Sequence, residues 1–165
     1  MIKINLNRTN SEPFSEFSIY NSLNPIPATL KLSNALVLPD TIYSRNLAGE
    51  NFIEFRFNKE TRRLYEITIV AIQEETVKLD TYNCSNNDGD YYECFIKDGE
   101  CELEFSKPIQ ILRSENSLNF SWDGETSKKH AISKNCILGT DVYGNLCSII
   151  LINLTSEIIY EILGF

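Results

Sequence analysis

The sequence predicts a mainly β (α+β) protein, one domain over residues 1–165, made of successive antiparallel hairpins that form a sheet, sandwich or half-barrel with a short C-terminal helix. Three observations predict it. Apolar and polar residues alternate on both sides of the polar stretch Asn58-Lys59-Glu60-Thr61-Arg62, two more such paired runs follow around turn residues, and helical spacing is confined to the last ten positions.

The chain opens on Met1-Ile2-Lys3-Ile4-Asn5-Leu6-Asn7-Arg8, whose alternation is that of a half-buried strand, so the folded domain is expected to begin at once. Short β-type runs follow in Phe17-Ser18-Ile19-Tyr20 and from Leu30 to Leu38. They are separated by Asn24-Pro25-Ile26-Pro27 and closed by Pro39-Asp40, where proline cannot donate to a ladder. Phe52, Ile53, Phe55 and Phe57 then face Tyr65, Ile67, Ile69 and Ala71 across the turn at 58–62. A second hairpin joins Ile109–Arg113 to Leu118–Trp122 through Ser114-Glu115-Asn116-Ser117. A third joins Cys136–Val142 to Leu146–Leu154 through Tyr143-Gly144-Asn145, where glycine and asparagine tolerate positive φ. Thr155 or Ser156 can cap a final helix whose apolar residues Ile158, Ile159, Ile162 and Leu163 share one face, with Gly164 placed to stop it.

With 165 residues and 42% apolar residues, the chain can bury one sizeable core. The longest apolar run, Ile149-Ile150-Leu151-Ile152, is far shorter than the roughly 20 residues that span a bilayer. The N-terminus lacks the apolar core of a secretory signal, and five cysteines cannot all pair with one another. Free thiols in a reducing compartment, the cytoplasm, are therefore expected.

No catalytic residue and no cofactor stands out. The single histidine, His130, limits proton-transfer and metal chemistry and is expected to be solvated or structural. No two cysteines lie within the two-to-four-residue spacing typical of metal pairs, so no metal site is expected, and Cys136 and Cys147 read as buried strand cysteines. The run Asn86-Asn87-Asp88-Gly89-Asp90 fails as a calcium loop: alignment on Gly89 puts Cys84 first and Phe95 last, where carboxylates are needed, so it reads as a polar turn. Phosphate-cradling and dinucleotide-binding motifs are absent from the sequence.

The charge is concentrated. Between Gln73 and Glu104 ten acidic residues stand against Lys78 and Lys97, a net −8 that equals the charge of the whole chain. This segment also carries Tyr82, Tyr91, Tyr92 and Phe95, rings that favour protein interfaces. A solvated charged loop is the plain reading. The functional one is an acidic surface that repels nucleic acid and anionic membrane while steering a basic protein into contact. Its candidate contact residues are Asp88, Asp90, Tyr91, Tyr92, Glu93, Asp98, Glu100 and Glu102. Nucleases, basic because they hold phosphates, are physically suitable partners.

The opening Met1-Ile2-Lys3-Ile4-Asn5-Leu6, the Phe52–Ala71 hairpin and the ending Gly144–Leu154 followed by a short helix resemble the immunity proteins of contact-dependent growth inhibition systems. The likeness is to the mainly β group paired with nuclease toxins and lies in overall pattern, not in a diagnostic motif. The resemblance implies a bacterial cytoplasmic protein that binds the toxin domain of a secreted effector and blocks its active site. It also implies that a toxin hairpin can extend the immunity protein's sheet, though no receiving strand is marked in this sequence. Two other classes compete: an enzyme acting on a small molecule or sugar through paired carboxylates, and a structural or adhesin-like subunit. Oligomeric state is left open.

Overall fold

The computed structural model describes residues 1–19, 28–73, 77–80, 89–101 and 104–164, with residues 98–101 described by backbone alone. Its elements in chain order are β1 (Ile2–Thr9), β2 (Glu16–Ile19), β3 (Ala28–Lys31), β4 (Thr41–Ala48), β5 (Asn51–Asn58), β6 (Leu64–Ala71), β7 (Val77–Leu79), β8 (Tyr91–Cys101), β9 (Glu104–Phe105), β10 (Gln110–Arg113), β11 (Leu118–Ser121), β12 (Lys128–Ser133), β13 (Cys136–Thr140), β14 (Leu146–Leu151) and α1 (Ser156–Leu163). The protein is mainly β, as expected, with several antiparallel sheets, a short C-terminal helix and no closed barrel. No helix among the described residues is long and apolar enough to cross a membrane.

The strands form an N-terminal sheet in the order β2-β3-β6-β5-β4-β9, a C-terminal sheet in the order β12-β13-β14-β11-β10-β7, and a two-stranded ribbon β1-β8. The three predicted hairpins are β5–β6, β10–β11 and β13–β14, all antiparallel. The first turns because the Asn58 side-chain oxygen accepts the N–H groups of Glu60 and Thr61, each at 2.9 Å, while Arg62 adopts a φ of 63°. Two short pairings, β4–β9 and β7–β10, are parallel, which local alternation does not reveal.

The two six-stranded sheets share one core. Phe55 of β5 lies 5.9 Å from the Trp122 ring, and the indole N–H is satisfied by the Leu146 carbonyl at 3.1 Å. Inward Asn46 is fully buried, yet its amide pairs in both directions with the backbone of Lys107, at 3.0 and 3.1 Å. That pairing meets the cost of burying an amide and anchors the crossover from β9 to β10. Helix α1 buries Ile159, Ile162 and Leu163, begins at the Thr155 cap and ends on left-handed Gly164, as its sequence predicts.

Three expectations need correction. The run Leu30–Leu38 is not a continuous strand: β3 ends at Lys31, Leu32 makes one more bond to Tyr65 of β6, and residues 33–40 lie outside any strand. The Ser33 hydroxyl accepts the Ala35 N–H at 3.3 Å, offering the backbone a local bond in place of a ladder. The acidic segment is not simply a loop, since Tyr91–Cys101 is an eleven-residue strand. Asp141 and Val142 lie outside β13, which ends two residues earlier than expected because the Asp141 carboxylate captures the N–H groups of Tyr143 and Asn145 and bends the chain there. Tyr20, the 24–27 run, Cys84 and residues 86–88 lie outside the described residues.

Gly139 sits in the middle of β13, where an added Cβ would lie 2.0 Å from the Ser148 hydroxyl and 2.8 Å from the Thr126 methyl. Gly139→Ala should therefore cost about 1–3 kcal/mol in denaturant unfolding through overpacking. Adding Ser148→Ala should recover part of that loss, and an unchanged midpoint for Gly139→Ala would refute the close packing.

Candidate functional site

Strand β8, with Asp90 just before it, holds the described part of the predicted contact set. Its pairing with β1 sets Ile4 opposite Ile96, Leu6 opposite Cys94 and Arg8 opposite Tyr92. On its other side it runs beside β12 and reaches the β5–β6 turn, where the Ile96 N–H donates to the Arg62 carbonyl at 2.9 Å. Cys94 and Ile96 point into the core.

The contact residues chosen on charge do not behave alike. Asp90 accepts a 2.6 Å bond from Arg8, and Glu93 pairs with Arg63 at 3.0 Å, so both carboxylates meet arginines from the otherwise neutral remainder of the chain. All four groups are at least a third exposed, so each pair is worth about 0–1 kcal/mol and can exchange for a partner's cation at little cost. Tyr91 packs on the apolar cluster of Ala131, Ile137, Ile150 and Ile152. Tyr92 meets His130 edge to face at 4.9 Å. Asp88 and Glu102 lie outside the described residues; Asp98 and Glu100 are placed on β8 without a described side chain.

An open groove of about 410 Å³ lies between β8, the β5–β6 turn and the segment 33–39. Glu93 and Phe95 of β8, Arg63 and Tyr65, and Val37 and Pro39 line it. Beside it Leu36, Val37 and Leu38 stand almost wholly in water. Three consecutive exposed aliphatic residues are unusual on a free surface, which makes this segment a candidate contact site. The charge-based selection missed them, together with Arg63 and Phe95. Their one sequence signal was the apolar run ending at Pro39, which also fits a strand.

Among the described residues, the three thiols are held in states that disfavour nucleophilic chemistry. Burial pushes the Cys94 and Cys136 thiols well up, and burial likewise raises Cys147, the reverse of nucleophile activation. Burial, then Lys128, lowers the His130 pKa and keeps the ring neutral near pH 7. Two carboxylates share an arginine on the outer face of the N-terminal sheet. There Glu54, opposite Arg45 and Thr68, accepts bonds from Arg45 at 2.5 Å and Arg56 at 2.6 Å, and Arg56 also reaches Glu66 at 3.4 Å. Burial alone would raise the Glu54 pKa, but the bonds from Arg56 and Arg45 outweigh it and hold the carboxyl below its usual value. A general acid needs the opposite shift. Arg45 in turn stacks 4.0 Å over the Tyr43 ring.

Compared with models of known protein families and with curated proteins, the chain gives no match.

Glu54 also yields a pH prediction. Its folded pKa lies below the usual 4.5, so its stabilisation is fully present above that value and is lost as pH falls through the folded pKa. Glu54→Gln should be about 1–3 kcal/mol less stable than wild type at pH 7, with the gap closing below pH 4.5. A gap independent of pH would show that the pairing with Arg45 and Arg56 contributes nothing.

Proposed function

We propose that this protein is a non-enzymatic immunity protein of the bacterial cytoplasm that binds a basic toxin domain, of nuclease class, and covers the surface the toxin uses for its substrate. The observation that carries the reading is the groove lined by Ala35, Val37 and Pro39 together with Glu93 and Phe95 of the acid-bearing strand β8, with Leu36 and Leu38 exposed next to it in the chain. An apolar centre supplies affinity when water is excluded from it, and charged groups at its edge supply steering and discrimination. Glu93 lies at that edge in a weak, half-exposed pair with Arg63, so a toxin lysine or arginine can take over its carboxylate.

The charge distribution supports the same partner class. Focusing the net charge of −8 into residues 73–104 favours approach of a cationic protein and opposes binding of nucleic acid or of a second copy of this chain. The resemblance to nuclease-paired immunity proteins points the same way. The competing enzyme reading asks for two carboxylates of raised pKa in a cleft. Glu93 is the one carboxylate on the groove's described wall, and its neighbour is an arginine.

The test is co-expression with the C-terminal domain encoded by the reading frame immediately upstream. Survival of cells that carry this chain, death of cells that lack it, and a co-purified complex are the expected results. Leu36→Asp with Leu38→Asp should weaken that complex by about 10- to 100-fold and abolish protection while leaving the circular dichroism spectrum unchanged. Full protection by the double variant would move the interface away from the exposed 36–38 segment, and a harmless upstream domain would end the immunity reading.

A further inference from the structure

The turn between β13 and β14 presents two apolar side chains that the core does not use. Val142 is 75% exposed and Tyr143 is 76% exposed, at the tip of a turn where polar residues are the rule. The backbone beneath them is tied down. One oxygen of Asp141 accepts the N–H groups of Tyr143 at 2.8 Å and Asn145 at 2.9 Å, and the other accepts the Asn145 side-chain amide at 2.8 Å. The Gly144 N–H donates to the Asp141 carbonyl at 3.2 Å, and the Asp141 N–H to the Asn145 carbonyl at 3.0 Å. Gly144, at a φ of 82°, supplies the left-handed step that the turn requires. A tyrosine on such a turn loses little conformational freedom when it is buried by a partner, which is the physical basis of an interface anchor.

The position of the turn connects it to the groove. Ile4 of β1 donates its N–H to the Gly144 carbonyl at 3.2 Å, Ile4 pairs with Ile96 of β8, and the Ile96 N–H donates to the Arg62 carbonyl at 2.9 Å. Three strand-to-strand steps of about 4.8 Å therefore separate the tip from the turn that lines the groove, roughly 15 Å in all. A standard interface of about 800 Å² per partner spans that distance.

We infer that Val142 and Tyr143 form a second, preorganised contact of the same interface, a convex tip that inserts into an apolar pocket of the basic partner domain while the groove receives a projection from it. This inference rests on the binding reading above. Asp141 is then a positioning residue: it holds the tip and does not itself meet the partner.

The test uses the full chain and the upstream-encoded toxin domain in an inactive form, with binding kinetics measured for Tyr143→Ala, Asp141→Ala and the Leu36→Asp/Leu38→Asp variant. Tyr143→Ala should weaken binding by about 30-fold, mainly through faster dissociation, and leave its salt dependence unchanged. Asp141→Ala should leave Tyr143 in place yet speed amide exchange at Tyr143 and Asn145 in the free protein by at least about tenfold, and weaken binding less than Tyr143→Ala does. If the Leu36→Asp/Leu38→Asp variant loses affinity while Tyr143→Ala binds like wild type, the tip is not part of the interface, although the binding reading stands. If wild type forms no complex, that reading falls and the tip contact falls with it. Equal exchange in wild type and Asp141→Ala would overturn the preorganisation of the tip.

Discussion

The pairing of β1 with β8 is the constraint on which the binding end of the molecule depends. It joins Ile2–Thr9 to a strand some ninety residues later, and each partner also bonds to a different sheet: Ile4 to the β13–β14 turn, Ile96 to the β5–β6 turn. Without the ribbon, the two sheets would still share Phe55, Trp122 and their neighbours, but the tips of their hairpins would have no common support. Buried Ile2, Ile4, Cys94 and Ile96 hold the ribbon against the core, and burial of three such isoleucines is worth several kcal/mol before entropy is counted. The polar half of the ribbon, from Asn5 to Thr9 and from Tyr91 to Glu93, is thereby free to carry surface chemistry.

How much of this was legible in the sequence follows from how local each signal is. The Phe52–Ala71 hairpin was legible because its alternation and its Asn58 turn lie within about twenty residues. So was helix α1, whose Thr155 cap, apolar face and Gly164 stop need no tertiary information. Strand β8 was not, because its residues Tyr91-Tyr92-Glu93-Cys94 do not alternate cleanly; they become a strand only by pairing with β1. The parallel contacts of β7 and β9 are two or three residues long and leave no pattern at all. The candidate site was legible in its charge and its tyrosines but not in its apolar part. Ala35-Leu36-Val37-Leu38 has the composition of a strand, and only the Ser33 bond and the departure of the chain after Lys31 turn it outward.

The concentration of acid acquires a different meaning once the arginines are placed. Asp90, Glu93 and Glu104 meet Arg8, Arg63 and Arg45, all from parts of the chain that are neutral as a whole. At contact distance, then, part of the negative field is already answered. Outside direct contact these pairs act as dipoles, and the remaining excess of acid acts on an approaching cationic surface within a Debye length of about 8 Å. Long-range steering and short-range affinity are thus supplied by different groups. In the proposed complex the acidic segment would set the encounter rate, while Leu36, Val37, Leu38 and the Tyr143 tip would offer the area whose removal from water slows dissociation. This division also bears on specificity. Any basic domain is drawn to the acid, but only one whose pocket and projection match a rigid tip and an apolar groove about 15 Å apart can exclude water from both.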